Sequence, residues 1–261
     1  MTLPIDPRND QAAGLRQMFA HRRMRFVPVV SNPHIAFGGV LLERLCTAFA
    51  ERQATTLVVD AAENAGTAGE MALVDLGQCI ERLSKRVSYL AANGLPVRFV
   101  DASGSTRAFL QRIGEVAPEC DIVLVHASAT ELCRLFSQKR PGAAWAESAC
   151  PIVLAEDHPG SVTHAYAAMK LLSQRAGLPV FDLLLGAAPQ SPRAERIATK
   201  LAACTDAYFG GVLRDWARVD PAGDATEAPA RDLRLLVAHR LADERTARSA
   251  RLAPSVSVAF S

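Results

Sequence analysis

A chain of 261 residues, 49% of them hydrophobic, is long and apolar enough to bury a substantial core, which describes a globular protein. Its 29 basic and 27 acidic residues leave a formal charge of +2, so no global field draws nucleic acid, and the local cluster of His21, Arg22, Arg23 and Arg25 reads as a solvated face. Six scattered cysteines without a C-x-x-C pair argue against zinc and for reduced core thiols, while no apolar run resembles a signal peptide or a membrane span; the expected compartment is the cytoplasm.

Residues 1 to 9 read as a tail. Asp10 can cap a short helix through Ala20, with Leu15, Met18 and Phe19 on one face and Gly14 weakening its middle. From Arg25, strand-like RFVPVV leads into a helix at 38 to 53, then strand TTLVVD and a helical stretch near 70 to 83. Strand-like VSYL and PVRFVD precede a helix at 105 to 117, strand DIVLVHA and a helix at 128 to 138. The series continues through PIVLAED, a helix at 161 to 175, FDLLLGAA, a helix at 191 to 203 and AYFGGVLRDWARVD, then a Pro/Gly/Asp-rich loop at 221 to 229 and a helix near 231 to 247. Apolar runs with little alternation, separated by helices, predict one doubly wound α/β domain whose mostly parallel sheet is covered on both faces. The expected organisation is a tail and helix at 1–24, the α/β domain at 25–220, and a loop, helix and tail at 221–261.

The connection after RFVPVV has the frame of a phosphate-binding loop but not its parts. Such a loop turns consecutive backbone N–H groups inward, which needs glycines, and neutralises charge with a lysine. Here it reads Ser31, Asn32, Pro33, His34, Ile35, Ala36, Phe37, Gly38, Gly39. Pro33 has no N–H, Ile35 and Phe37 resist positive φ, and no lysine occurs in this segment or in the helix after it. On the residues alone this is equally a plain strand-helix connection, with Gly38 and Gly39 opening a helix whose amino terminus attracts anions without any motif.

The stretch from Val29 to Ala62 nevertheless resembles the opening of the MinD-like ATPases, which have a strand, a Gly-Lys-rich loop, a helix and a strand ending in Asp-x-Asp at this spacing. DIVLVHA stands where that family has its switch strand, and HPGSVTHAYAAMKLL resembles the Pro-x-x-x-Thr-Asp-Ala-Tyr-x-x-x-Lys stretch of the flagellar-number regulators of the FlhG type. The most specific likeness is DQAAGLR, Asp10 to Arg16, which has the form of that type's amino-terminal Asp-Gln-Ala-x-x-Leu-Arg activator motif. The resemblance covers about residues 10 to 220.

The departures matter as much. The family's loop lysines correspond to Pro33 and Gly38, only Asp60 remains of the Asp-x-Asp pair because Ala62 takes the second place, and His126 replaces the magnesium-linked switch aspartate. Phosphoryl transfer is nearly all positioning and charge stabilisation, so these losses together imply a pseudo-ATPase with no expected cofactor. The degenerate site would comprise Ser31, Asn32, Pro33, His34, Gly38 and Gly39, with Asp60 and His126. Asp60 equally serves as the cap of the turn after its strand, and His34 and His126 can meet at the carboxyl edge of the sheet, where two histidines alone do not make a metal site. Two other readings stay open: a divergent but active ATPase using ATP and magnesium through other donors, and a MinD-like accessory of another envelope machine such as cellulose secretion.

What the resemblance implies about partners rests on the front helix. In the resembled type this segment inserts beside the nucleotide of FlhF, a GTPase related to signal-recognition particle, and speeds its hydrolysis. Carried over, Leu15 and Phe19 anchor the helix in a groove while Gln11 or Arg16 supplies polar contact near the phosphates, and Asp10 belongs to the same partner-binding segment. Flagellar basal-body components are further partners in that reading, and the cell pole or inner membrane face is the place of action. The helix near 231 to 247 places Leu233, Leu236, Val237 and Leu241 on one side and Arg231, Arg234, Arg240 and Arg245 elsewhere, with acids that dilute any pull toward anionic membrane; it reads as a cover for the sheet's edge.

Overall fold

The computed structural model describes residues 24–67, 69, 75–102, 105–137, 149–224 and 226–252, with side chains of the last helix described as far as Ala242. The activator segment, with Asp10, Gln11, Leu15, Arg16 and Phe19, lies outside the described residues.

Eight strands form one sheet: β1 (Arg25–Val30), β2 (Thr56–Asp60), β3 (Glu81–Arg82), β4 (Val87–Ala91), β5 (Ile122–Ala127), β6 (Ile152–Glu156), β7 (Val180–Gly186) and β8 (Val212–Val219). They lie in the order β3-β4-β2-β5-β1-β6-β7-β8, and every pairing is parallel except the short β3 against β4. A strand buried on both faces needs no polar alternation, and all six residues of β5 are buried. Helices α1 (Gly38–Glu51) and α6 (Arg231–Leu252) cover one face; α2 (Arg107–Val116), α3 (Ala129–Phe136), α4 (Pro159–Leu171) and α5 (Ala194–Phe209) cover the other. Leu41, Leu45 and Phe49 of α1 meet Leu233, Leu236 and Val237 of α6 in the first layer. The opposite layer is built on Phe109, Leu132, Phe136, Met169 and Leu201. The single mostly parallel α/β domain read from the sequence is the fold observed.

A proline inside a central strand needs a reason, and the register gives it. The amides of Arg25 and Ser31 donate to Asp121 and Ala127 on the β5 side, so by alternation the even-numbered residues of β1 face β6. Pairing with β6 covers only Val29 and Val30, so Pro28 precedes the first rung on that side and its missing N–H breaks no ladder.

Three local expectations are corrected. In the described part of the helix expected near 70 to 83, Gly77–Cys79 form a 3-10 turn and Glu81–Arg82 an edge strand. PVRFVD is not a strand, because Pro96 opens a 3-10 turn, Pro96–Phe99, and β4 already has β2 and β3 as its neighbours. Ala207, Tyr208 and Phe209 end α5 rather than begin a strand; Gly210, at φ +63°, supplies the left-handed residue that stops the helix.

Arg240, placed by its pattern on the polar side of the last helix, is instead 7% exposed. It reaches under the sheet to Asp182 of β7, 2.6 Å from its carboxylate, which Arg214 of β8 also holds with two hydrogen bonds of 3.1 and 2.7 Å. Two guanidinium groups on one fully buried carboxylate tie α6 to the amino-terminal side of the sheet.

Candidate functional site

The carboxyl ends of β1, β2 and β5 and the inner side of α4 enclose a cavity of about 820 Å³. This is where doubly wound sheets bind ligands, because the chain turns to opposite sides as it leaves neighbouring strands. Ser31, Asn32 and Pro33 line it from the loop after β1 and Gly38 and Gly39 from the first turn of α1, with Asp60 and His126 from the strand ends. His34 does not line it. Its ring packs edge-on against His164 of α4, with centroids 5.8 Å apart, so it meets a different histidine from the His126 expected.

Asn32 is 6% exposed and fully engaged. Its Nδ2 lies 3.0 Å from three acceptors, the carbonyls of Leu154 and Ser161 and the hydroxyl of Ser161, while its Oδ1 accepts from the His34 amide at 3.1 Å. The side chain thus fastens the loop after β1 to β6 and α4. Further along, the amides of Ala36 and Phe37, the last two residues before α1, both donate to one carboxylate oxygen of Glu156 at 3.1 Å. The Ile35 amide bonds back to the Asn32 carbonyl at 3.3 Å. The amides from His34 to Phe37 are therefore consumed by the chain itself. Among the described residues lining the cavity, none is lysine or arginine, and Asp60 and Glu63 add negative charge.

On the opposite wall Asp60 and His126 form a dyad. His126 Nδ1 is 2.8 Å from Asp60 Oδ1, the Ala62 amide donates to the same oxygen at 3.2 Å, and the Tyr89 hydroxyl donates to Oδ2 at 3.2 Å. The bond from Ala62 is the turn cap anticipated for Asp60. Burial pushes the Asp60 carboxyl up, but the hydrogen bond and charge of His126, with the Ala62 amide and Tyr89 hydroxyl, bring it below its ordinary value. Burial and the Asp60 charge push Tyr89 up to about 12. His164 is held below the ordinary histidine value by burial first and by the charge of His34 second, against a hydrogen bond with the Ser31 backbone and attraction from Glu63. The dyad fixes the orientation of the His126 imidazole, and among the described residues no serine, threonine or cysteine side chain is hydrogen-bonded to it. Among the described residues, no group of three or more His, Cys, Asp or Glu side chains could hold a metal ion.

Sequence reasoning missed Glu156, Ser161, His164 and Tyr89. His164 was within reach, since Thr163-His164-Ala165-Tyr166 departs from the resembled Thr-Asp-Ala-Tyr at that very residue. Glu156 carried no local signal, because an acid at a strand end is ordinarily solvated.

No family model matches the chain, and no curated protein matches it. Solved structures do. A cobyrinic acid a,c-diamide synthase from Mycobacterium smegmatis superposes with a TM-score of 0.56 at 13% identity, over 86% of this chain and 96% of that one. A plasmid partition protein from Borrelia burgdorferi gives 0.55 at 8% identity, over 85% and 100%. The septum site-determining protein MinD from Pyrococcus horikoshii, solved with Mg-ADP, gives 0.50 at 15% identity, over 85% and 98%. At such identities the likeness is one of architecture: this chain has the single-domain α/β fold, with a mostly parallel sheet, that these solved structures share.

Proposed function

We propose that this chain is a non-catalytic, MinD-fold regulator of flagellar number or placement, and that it acts by presenting its Asp10–Arg16 segment to a signal-recognition GTPase of the FlhF type. The domain serves as the docking body in this reading, and the degenerate loop is part of its architecture rather than a machine for hydrolysis. What supports it most is one relationship: the Ala36 and Phe37 amides close on the carboxylate of Glu156, beside a cavity with no described lysine or arginine. A magnesium-bound triphosphate needs inward amides and a cation, and would meet acids instead. The likeness of DQAAGLR to an activator motif supplies the partner.

The test uses the full chain. Wild-type protein added to the partner GTPase raises its rate of GTP hydrolysis, and Gln11→Ala with Arg16→Ala removes that rise while leaving the fold intact by circular dichroism. No stimulation by the wild type overturns the partner assignment. Micromolar, magnesium-dependent ATP binding in a calorimeter overturns the non-catalytic part.

A further inference from the structure

The loop between β1 and α1 raises a question that loss of nucleotide binding does not answer. A turn that once served a ligand and has lost it should be left with amides facing water and no fixed shape. Between His34 and Phe37 this one has neither defect. Four consecutive amides from His34 to Phe37 are satisfied: the first two by Asn32, the last two by a single oxygen of Glu156. Glu156 is itself fixed from behind, for its own amide donates to Ser161 Oγ at 2.9 Å and that hydroxyl lies 3.0 Å from Asn32 Nδ2. Asn32, Ser161, Glu156 and the Ala36–Phe37 amides thus make a closed ring of contacts linking β1, β6, α4 and α1.

Two independent features show that the carboxylate is built into place. Gly186, the neighbour of Glu156 in β7, leaves the room its stem occupies: a Cβ there would stand 3.0 Å from Glu156 Cγ. And α1 has no acidic residue in its own first turn, so its positive end is complemented only from outside the helix.

We propose that Glu156 is a resident anion for this loop: its carboxylate fills, in cis, the place at the Ala36 and Phe37 amides that a free oxyanion would take, and holds residues 32 to 37 in one conformation with no ligand bound. A tethered anion has an effective concentration that a free one rarely matches, so phosphate groups are excluded by occupancy as well as by charge. The inference deepens the contact-only reading and rests on it in treating the loop as permanently without nucleotide.

Amide hydrogen exchange of the full-length protein tests it, resolved at Ala36 and Phe37. In the wild type without ligand both amides are protected. Glu156→Ala speeds their exchange roughly ten- to hundredfold, the usual worth of a hydrogen bond to a charged acceptor. Glu156→Gln, which keeps an oxygen but no charge, falls between and serves as the reporter should the alanine variant not fold. High-millimolar formate restores protection in the alanine variant and changes nothing in the wild type. Equal exchange in wild type and variant, or a folded alanine variant that formate fails to protect, overturns the resident anion but leaves the contact-only reading standing. Wild-type amides protected only after magnesium and ATP are added overturn both.

Discussion

Asp60 and His126 occupy paired positions on the neighbouring strands β2 and β5, and their side chains meet 2.8 Å apart at the carboxyl edge of the sheet. The dyad, with Tyr89 and the Ala62 amide, holds the Asp60 carboxyl below its ordinary value, and that has a sign. A carboxylate depressed in the folded state stabilises the fold above its unfolded pKa of about 3.9 and loses this contribution as the pH falls through the lower folded value. Wild-type stability should therefore drop below about pH 4, and Asp60→Asn should flatten that acid limb. Urea midpoints measured from pH 2.5 to 7, taken as about that range, give the comparison; parallel curves for the two proteins would refute it.

His164 predicts a second pH effect at a higher range. Its folded pKa is lowered, by burial and by the nearby charge of His34, so the unfolded chain takes up the proton more readily. Stability should fall as the pH drops through the unfolded value of about 6.5. His164→Gln should remove this slope, and His34→Gln should reduce it by removing one of its two causes. Thermal melts across that interval report the difference.

Asn32 is predicted to matter for stability although it sits in a degenerate loop. Replacement by alanine strands the buried acceptors it serves and should cost about 1–3 kcal/mol. Asn32→Asp should cost more, because it turns a donor facing the Leu154 carbonyl into an acceptor. Chemical denaturation distinguishes the two, and an Asn32→Asp protein as stable as the wild type would show that the side chain carries no such duty.

Below the sheet, Asp182→Ala should be the most damaging of these substitutions. It leaves the guanidinium of Arg240, 7% exposed, without the buried carboxylate it shares with Arg214, a change that typically costs about 3–5 kcal/mol. The last helix should loosen first, read as faster exchange of the amides around Leu236 and Val237 than of those in β5.

Much of this was legible along the chain. Apolar runs without alternation dictated a sheet buried on both faces, and helical spacing between them dictated parallel crossovers, because these signals lie within one element and need no partner. Leu233, Leu236 and Val237 named the buried side of the last helix for the same reason. The absence of lysine from the loop after β1 and from α1 was likewise a matter of composition. Turn chemistry was less legible: Pro96 and Gly210 shifted elements whose apolar content pointed to strands.

The site was decided by tertiary structure. Asp60 and His126 lie 66 positions apart, and only the adjacency of β2 and β5 makes them a dyad. His34 found His164 because α4 returns across the loop after β1. The carboxylate of Glu156, about as far along the chain from the amides it holds as β6 is from β1, and the burial of Arg240 over Asp182 are likewise written in no local pattern. Residue type and spacing fix what each segment can bury, whereas which charges and donors come to face one another depends on strand order, and that is settled only when the segments pack.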